Sequence, residues 1–278
     1  MTLKSVQNAL FKIYLNPGYR LAHRLDPRAL VSHMCLTGDE AELVQNLLPA
    51  EVEQFAMELK AKEMLSLSMA MPVTCRWLEA HCRHVLREYE DFSTYGRRSD
   101  RWAAAQGFVQ YLEECVDFYD AVPPTLPAVA RLEYLLLTVR DEQENRVGSV
   151  RPVTAPPVPR PSWDSLYWKP AHTHAVHFST DALSVVLGKK DMRDADDPIW
   201  VVIAPAPYGR VPRVLRITAP AFHLINALER PRSAKQLYAY AQTHGLNVSE
   251  QALRALVERL SESAVLGSHH LGEGVAGE

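Results

Sequence analysis

The sequence lacks long apolar runs. No stretch approaches the ~20 consecutive apolar residues that a membrane-spanning helix requires. The N-terminus, MTLKSVQNALFKIYL, has polar residues among its apolar ones and lacks a signal-peptide cleavage pattern. An apolar share of 47% and a charged share of 23% are typical of globular chains. We therefore expect a soluble, cytoplasmic protein with no membrane partner.

Cysteine is scarce as well. The four cysteines are Cys35, Cys75, Cys82 and Cys115, and no two of them form a CxxC pair. Cys75 and Cys82 share a predicted helix face, but their separation along the axis is too great for a disulfide. We expect reduced and mostly buried thiols.

Glycine is sparse, with 12 residues in a chain of 278. Few loops can therefore bring the backbone close to a phosphate group. The GxSxG, HExxH and P-loop patterns are all missing. We predict that the chain is not an enzyme on its own and carries no catalytic residue.

Histidine forms one cluster that resembles a metal site. His172 and His174 alternate along a predicted strand and would share one face, whereas His177 would point the other way. No cysteine and no second spaced pair completes a ligand set. We predict no metal ligand and no cofactor in this chain.

Positive charge is concentrated near the C-terminus, although the net charge of the chain is −3. Between Gly209 and Lys235 the only acidic residue is Glu229. Such a patch could attract an acidic peptide or nucleic acid. Its basic residues are Arg210, Arg213, Arg216, Arg230, Arg232 and Lys235.

Residues 1–145 are predicted to form an all-helical bundle, because apolar residues recur at helical spacing between proline and N-cap signals. The expected segments are Thr2–Leu15, Pro27–Leu36, Asp39–Leu48, Ala50–Met71, Pro72–Phe92, a helix after Ser99, and Pro127–Glu144. Residues 146–162 follow, and their five prolines predict an extended connector and a domain boundary.

Residues 163–267 are predicted to form a winged-helix-like domain, which makes the fold class α+β. Three strands are expected, at Ala171–Ser179, Ile199–Ala204 and Val211–Ile217. Three helices follow them: one from Pro220 to Pro231, one between Ser233 and Gly245, and one after the N-cap Ser249. Residues 268–278 are predicted to be a disordered tail.

Two uses of this domain remain open. An extended peptide could add a strand beside Val211–Ile217, because Pro212 suits an edge strand, and pack against the third helix. Alternatively, the third helix could enter a DNA major groove, as in a transcriptional regulator. Its outer face, however, includes Glu258 and Glu262, which would oppose phosphates.

Two parts of the sequence resemble known families. The C-terminal part, with ITAPAFHLINALERPRSAKQLYAYA and LRALVERLSESAVLG, is similar to the RiPP recognition element. That winged-helix-like domain binds leader segments of ribosomally made, post-translationally modified peptides (RiPPs). The helical part, with PVTCRWLEAHCRHVLREYEDF, GFVQYLEE and LPAVARLEYLLL, resembles partner proteins of multinuclear non-haem iron oxidative enzymes. Known partners serve methanobactin and 3-thiaglutamate biosynthesis, and the layout is most similar to the latter.

The resemblance covers roughly residues 72–267 and implies a non-catalytic subunit of a heterodimer. The partner enzyme would hold the iron and oxidise a cysteine of the precursor peptide, while this chain would bind the peptide. By position, the second hairpin strand and the third helix match the leader-binding groove. The implied contact residues are Arg210, Val211, Arg213, Val214, Leu215, Arg216 and Ile217 on the strand, and Gln251, Leu253, Arg254, Val257 and Glu258 on the helix.

Overall fold

A computed structural model describes residues 3–93, 101–147, 163, 165–206 and 211–269. The chain forms two compact units, Met1–Val122 and Pro123–Glu278. Helices make up the first unit, and the second adds two small antiparallel sheets, which confirms the α+β class. None of the described helices combines the length and the apolar character that crossing a bilayer requires.

Every regular element described in the first unit is a helix, as the sequence predicted. The helices are α1 (Leu3–Leu15), α2 (Pro17–Leu25), α3 (Pro27–His33), α4 (Asp39–Gln45), α5 (Pro49–Ala70), α6 (Pro72–His81), α7 (Arg83–Ser93) and α8 (Arg101–Phe118). Asp26 caps α3 as expected, because its carboxylate accepts a hydrogen bond from the Ala29 N–H at 3.0 Å. The predicted helix Pro72–Phe92 is wrong in one respect, since the chain leaves helical geometry at Cys82, where φ is −141° and ψ is 50°.

The second unit begins with a long helix and contains all the described strands. Its elements are α9 (Thr125–Val147), β1 (Leu166–Trp168), β2 (His174–Phe178), α10 (Ala182–Val186), β3 (Ile199–Ala204), β4 (Arg213–Ile217), α11 (Ala219–Asn226), a 3₁₀ turn (Ala227–Glu229), β5 (Arg232–Ser233), α12 (Ala234–Thr243), α13 (Glu250–Glu262) and β6 (Gly267–His269).

The division between the units differs in position from the predicted boundary. It falls after Val122, so that α9 belongs to the second unit, where it packs against α10 and β3. The sequence placed this helix in the first domain and the boundary at 146–162. Residues 148–162 of that proposed connector lie outside the described residues.

Strands β2, β3 and β4 form an antiparallel sheet in that order. On one face, Val202, Leu215 and Ile217 border a core that α11, α12 and α13 share. The opposite face carries Val201 and Arg216, which are cross-strand partners. The sheet therefore has β4 at one edge, and both of its faces are covered by helices of the same unit.

The second sheet, with the order β5-β1-β6, was not predicted. Strand β5 precedes α12, β6 follows α13, and both pair with β1. The sheet therefore joins the two ends of the segment that contains α12 and α13. The tail predicted from residue 268 is wrong at its start, since Ser268 and His269 pair with Tyr167 and Leu166. Residues 270–278 lie outside the described residues.

Candidate functional site

Strand β4 is the edge strand of its sheet. Across the described ranges its backbone pairs only with β3, in a register that places Leu215 opposite Val202. Its side chains Val214, Leu215 and Ile217 are half-buried. Pro212 lies just before the strand, in agreement with the sequence argument for an edge. One side of β4 can therefore accept further main-chain hydrogen bonds.

The C-terminal end of helix α13 lies beside this edge. The Arg213 guanidinium, on the first residue of β4, donates a hydrogen bond to the carbonyl of Ser263, just after α13. Ala252, Leu256 and Arg259 lie within about 60° of one another around the helix axis, on the flank that continues to Ser263. Leu256 is half-buried and packs against the same core as the inner face of β4. We refer to the unpaired edge of β4 together with this flank of α13, which are linked through Arg213 and Ser263, as the β4–α13 groove.

The opposite flank of α13 faces a different part of the unit. Arg254 forms an ion pair with Glu250 at 2.7 Å, and its guanidinium lies 4.4 Å from the centre of the Trp163 ring. Burial, with a smaller contribution from Glu258, raises the pKa of Tyr167 on β1. Gln251, Arg254 and Glu258 lie roughly 140° or more from Leu256 around the helix. Of the predicted contact residues, these three are therefore turned away from the β4–α13 groove.

Two other predicted contact residues lie in the core. Leu253 is 0% exposed and Val257 is 4% exposed, and both pack with the helices behind the sheet. Side chains so enclosed support the groove from below but offer a guest chain almost no surface. The predicted contact residues on α13 include both core and surface positions. Helical periodicity identifies the apolar face of a helix, but not the residues at the border of that face. Leu256, at that border, was not among the predicted contact residues.

The arginines of β4 are largely engaged within the unit. Arg216 Nη2 lies 2.7 Å from both Asp181 Oδ1 and Ser184 Oγ, and Lys190 Nζ lies 3.5 Å from Asp181 Oδ2. Burial raises the pKa of Asp181, but the hydrogen bonds from Arg216 and Ser184 outweigh it and hold the pKa below its usual value. The sequence argument paired these arginines with an acidic peptide, whereas Arg216 already has an acidic partner. Arg210 lies outside the described residues, and Val211 is 76% exposed.

The histidine cluster is arranged differently from the prediction. The strand begins at His174, so His172 precedes it and the two do not alternate along β2. His172 Nδ1 contacts the Glu142 carboxylate of α9. Burial lowers the pKa of His174. Within the ranges that the structure describes, no group of three or more His, Cys, Asp or Glu side chains is placed to hold a metal ion.

No protein-family model matches the chain, and no curated protein matches it in sequence. The β4–α13 groove and the charges around it are therefore the features of the chain that point to a function.

Proposed function

We propose that this chain is the non-catalytic, precursor-peptide-binding subunit of a heterodimeric, iron-dependent peptide-modifying oxygenase in the biosynthesis of a RiPP. The single observation that carries the proposal is the edge position of β4, whose first residue, Arg213, bonds to the chain just after α13. A leader segment would add to β4 as a further strand and pack its side chains against that flank. The chain would act in the cytoplasm, where the precursor is made.

Main-chain pairing alone cannot account for tight binding. About four hydrogen bonds at ~1 kcal/mol net each supply about half of the ~8 kcal/mol behind a micromolar dissociation constant. The half-buried side chains Leu215, Ile217 and Leu256 all pack at the border of the same core. Apolar side chains of the leader, buried against them, would supply the rest.

The chemistry would belong to the partner. In this proposal the iron enzyme binds the metal and oxidises a cysteine of the precursor, while this chain holds the leader so that the cysteine reaches the iron. The helical first unit is the surface that we assign to the enzyme. No residue of this chain is given a catalytic role.

A substitution at the border of the groove tests peptide binding. We expect Leu256→Glu to weaken binding of the precursor's leader segment at least tenfold, about 1.4 kcal/mol, because a carboxylate would replace an apolar contact. Gln251→Glu places the same new carboxylate on the opposite, exposed flank of α13 and should change the dissociation constant less than about twofold. Calorimetry with a synthetic leader measures both, and urea unfolding verifies that each variant is folded.

Hydrogen exchange on the same samples tests the mode of binding. The bound leader should slow exchange of amides in β4, because strand addition protects an edge. If Leu256→Glu bound the leader with wild-type affinity, the peptide would not bind in this groove. Iron in stoichiometric amount in the isolated chain would contradict the assignment of the iron chemistry to the partner. Binding to DNA with a steep dependence on salt would instead indicate a regulator that uses α13.

A further inference from the structure

A pocket of about 500 Å³ opens along α12 on a surface that includes no residue of β4 or α13. It lies between one side of the helix and the chain segment that leads from the 3₁₀ turn into β5. Its polar and aromatic lining consists of Arg230, Arg232, Gln236, Tyr240, Thr243 and His244. We call it the α12 pocket.

Arg232 is the central cation of the α12 pocket. Its guanidinium carbon lies 5.3 Å from the centre of the Tyr240 ring, which fixes the side chain against α12. Its Nε is buried and has no hydrogen-bond partner among the residues that the structure describes. Because Nε is enclosed, a ligand in the pocket would contact the terminal nitrogens of the guanidinium instead.

Other hydrogen-bond donors reach the same space. Gln236 uses its Oε1 to accept the Ser233 N–H at 2.9 Å, which leaves its amide N–H groups for the pocket. Arg230 is exposed at the rim and adds a second guanidinium. No carboxylate is part of the lining. The α12 pocket is therefore cationic and rich in donors, which is the character of an anion site.

The first turn of α12 does not contribute this character. The Ser233 hydroxyl accepts the Gln236 N–H at 3.2 Å, so that the capping box already occupies amides at the helix start. The wall of the pocket is instead aromatic. The rings of Tyr240 and His244 are stacked at 3.9 Å, and His244 Nδ1 lies 2.9 Å from the Tyr240 carbonyl, which holds the imidazole in place.

We propose that the α12 pocket binds a small phosphate monoester. Two guanidinium groups and an amide, carried by two different elements, suit a tetrahedral dianion with several acceptor oxygens better than a planar carboxylate with two. The volume exceeds that of a phosphate group alone, so that the organic part of the ester lies along the Tyr240 and His244 rings. The site is independent of peptide binding at β4.

The test titrates the full-length chain with glycerol 3-phosphate at constant ionic strength, by calorimetry and by NMR of ¹⁵N-labelled protein. We expect saturable binding at one site and shifts of the backbone amide resonances of Arg230, Arg232 and Gln236. The double variant Arg230→Gln/Arg232→Gln should weaken binding about tenfold or more, because hydrogen bonds to charged groups are the strong ones. Arg232→Lys should weaken it less, since it keeps the charge and loses the planar donor set.

The matched control is Lys235→Gln, which removes the same charge from an exposed position near the start of α12 but outside the pocket. It should change the affinity less than about twofold. Equal weakening by Lys235→Gln would show a general charge effect and overturn the site. Non-saturable binding, binding of inorganic phosphate but not of the ester, or acetate binding as tight as the ester would each overturn the proposal.

Discussion

Arg216 forms an ion pair with Asp181 inside the second unit. Its guanidinium bonds to Asp181, the N-cap residue of α10, whose carboxylate also accepts the Ser184 N–H at 3.1 Å. The pKa of Asp181 is lower in the folded chain than its usual value. This interaction therefore adds stability above the unfolded pKa of ~3.9, and the contribution is lost as the pH falls through the folded pKa.

We predict that Arg216→Gln lowers the free energy of unfolding by about 1–2 kcal/mol at neutral pH, because it leaves a buried carboxylate without its guanidinium partner. The estimate is modest, since the Arg216 side chain is 51% exposed although that of Asp181 is 3% exposed. The difference from the wild type should narrow as the pH falls from neutral to well below the usual aspartate pKa of ~3.9, because Asp181 then becomes protonated. Urea unfolding at both pH values measures it.

Lys189→Gln is the control, because Lys189 is an exposed cation close to α10. It should alter stability by less than about 0.5 kcal/mol. Arg216→Gln could have the same free energy of unfolding as the wild type, or differ from it by the same amount at both pH values. Either result would show that the ion pair with Asp181 contributes little. For the same reason, a charge reversal at Arg216 would report folding together with any loss of peptide binding.

The contrast between Arg216 and Ser233 shows what can be inferred from sequence at this scale. The N-cap role of Ser233 was predicted and is confirmed, because a cap depends on residues three positions apart. The pairing of Arg216 with Asp181 joins a strand to a helix start 35 residues away. No local pattern indicates such a contact, which is why the sequence assigned this arginine to a ligand.

Among the elements, those with several turns or alternating residues were predicted well. Strand β3 (Ile199–Ala204) agrees with the prediction residue for residue, and α12 ends before Gly245, whose φ of 65° suits glycine. Strands β1, β5 and β6 were missed, since two or three residues are too few to show a period. Their pairing depends on tertiary contacts that only the fold brings together.

We predict that Gly267→Ala disrupts the β5-β1-β6 sheet. A Cβ atom on Gly267 would overlap the indole ring of its cross-strand partner Trp168. The variant should lose about 1–3 kcal/mol of unfolding free energy, as overpacked sites do. Ser268→Ala, at the next position of β6, should stay within about 0.5 kcal/mol of the wild type in urea unfolding. Similar stability of the two variants would mean that Trp168 moves aside without cost.

At the scale of the whole molecule, α9 belongs with the second unit. Its side chains Val129, Leu132 and Val139 are fully buried, and the helix packs against α10 and β3. The sequence placed the boundary after α9, because prolines in the connector are a strong local signal and the packing partner of a helix is not. The helical character of α9 could be predicted, but its membership in a unit could not.

A pair of truncated chains tests this division. A chain of residues 123–278 keeps α9 and should unfold cooperatively in urea, with a far-ultraviolet spectrum of mixed helix and strand. A chain of residues 148–278 lacks that helix and should bind a hydrophobic dye and lose its sharp transition, because the apolar surface under α9 becomes exposed. Equal cooperativity in both chains would show that α9 is dispensable for this core.

The unpaired edge of β4 favours self-association when no other strand is bound to it. The unpaired N–H and C=O groups of β4 that would bond to a leader could equally bond to the β4 strand of another copy. Such pairing between sheet edges is how self-association begins. Pro212, just before the strand, supplies no N–H to such a ladder, and Arg213 and Arg216 would bring like charges together. These residues would thus limit homotypic aggregation through the unpaired edge of β4.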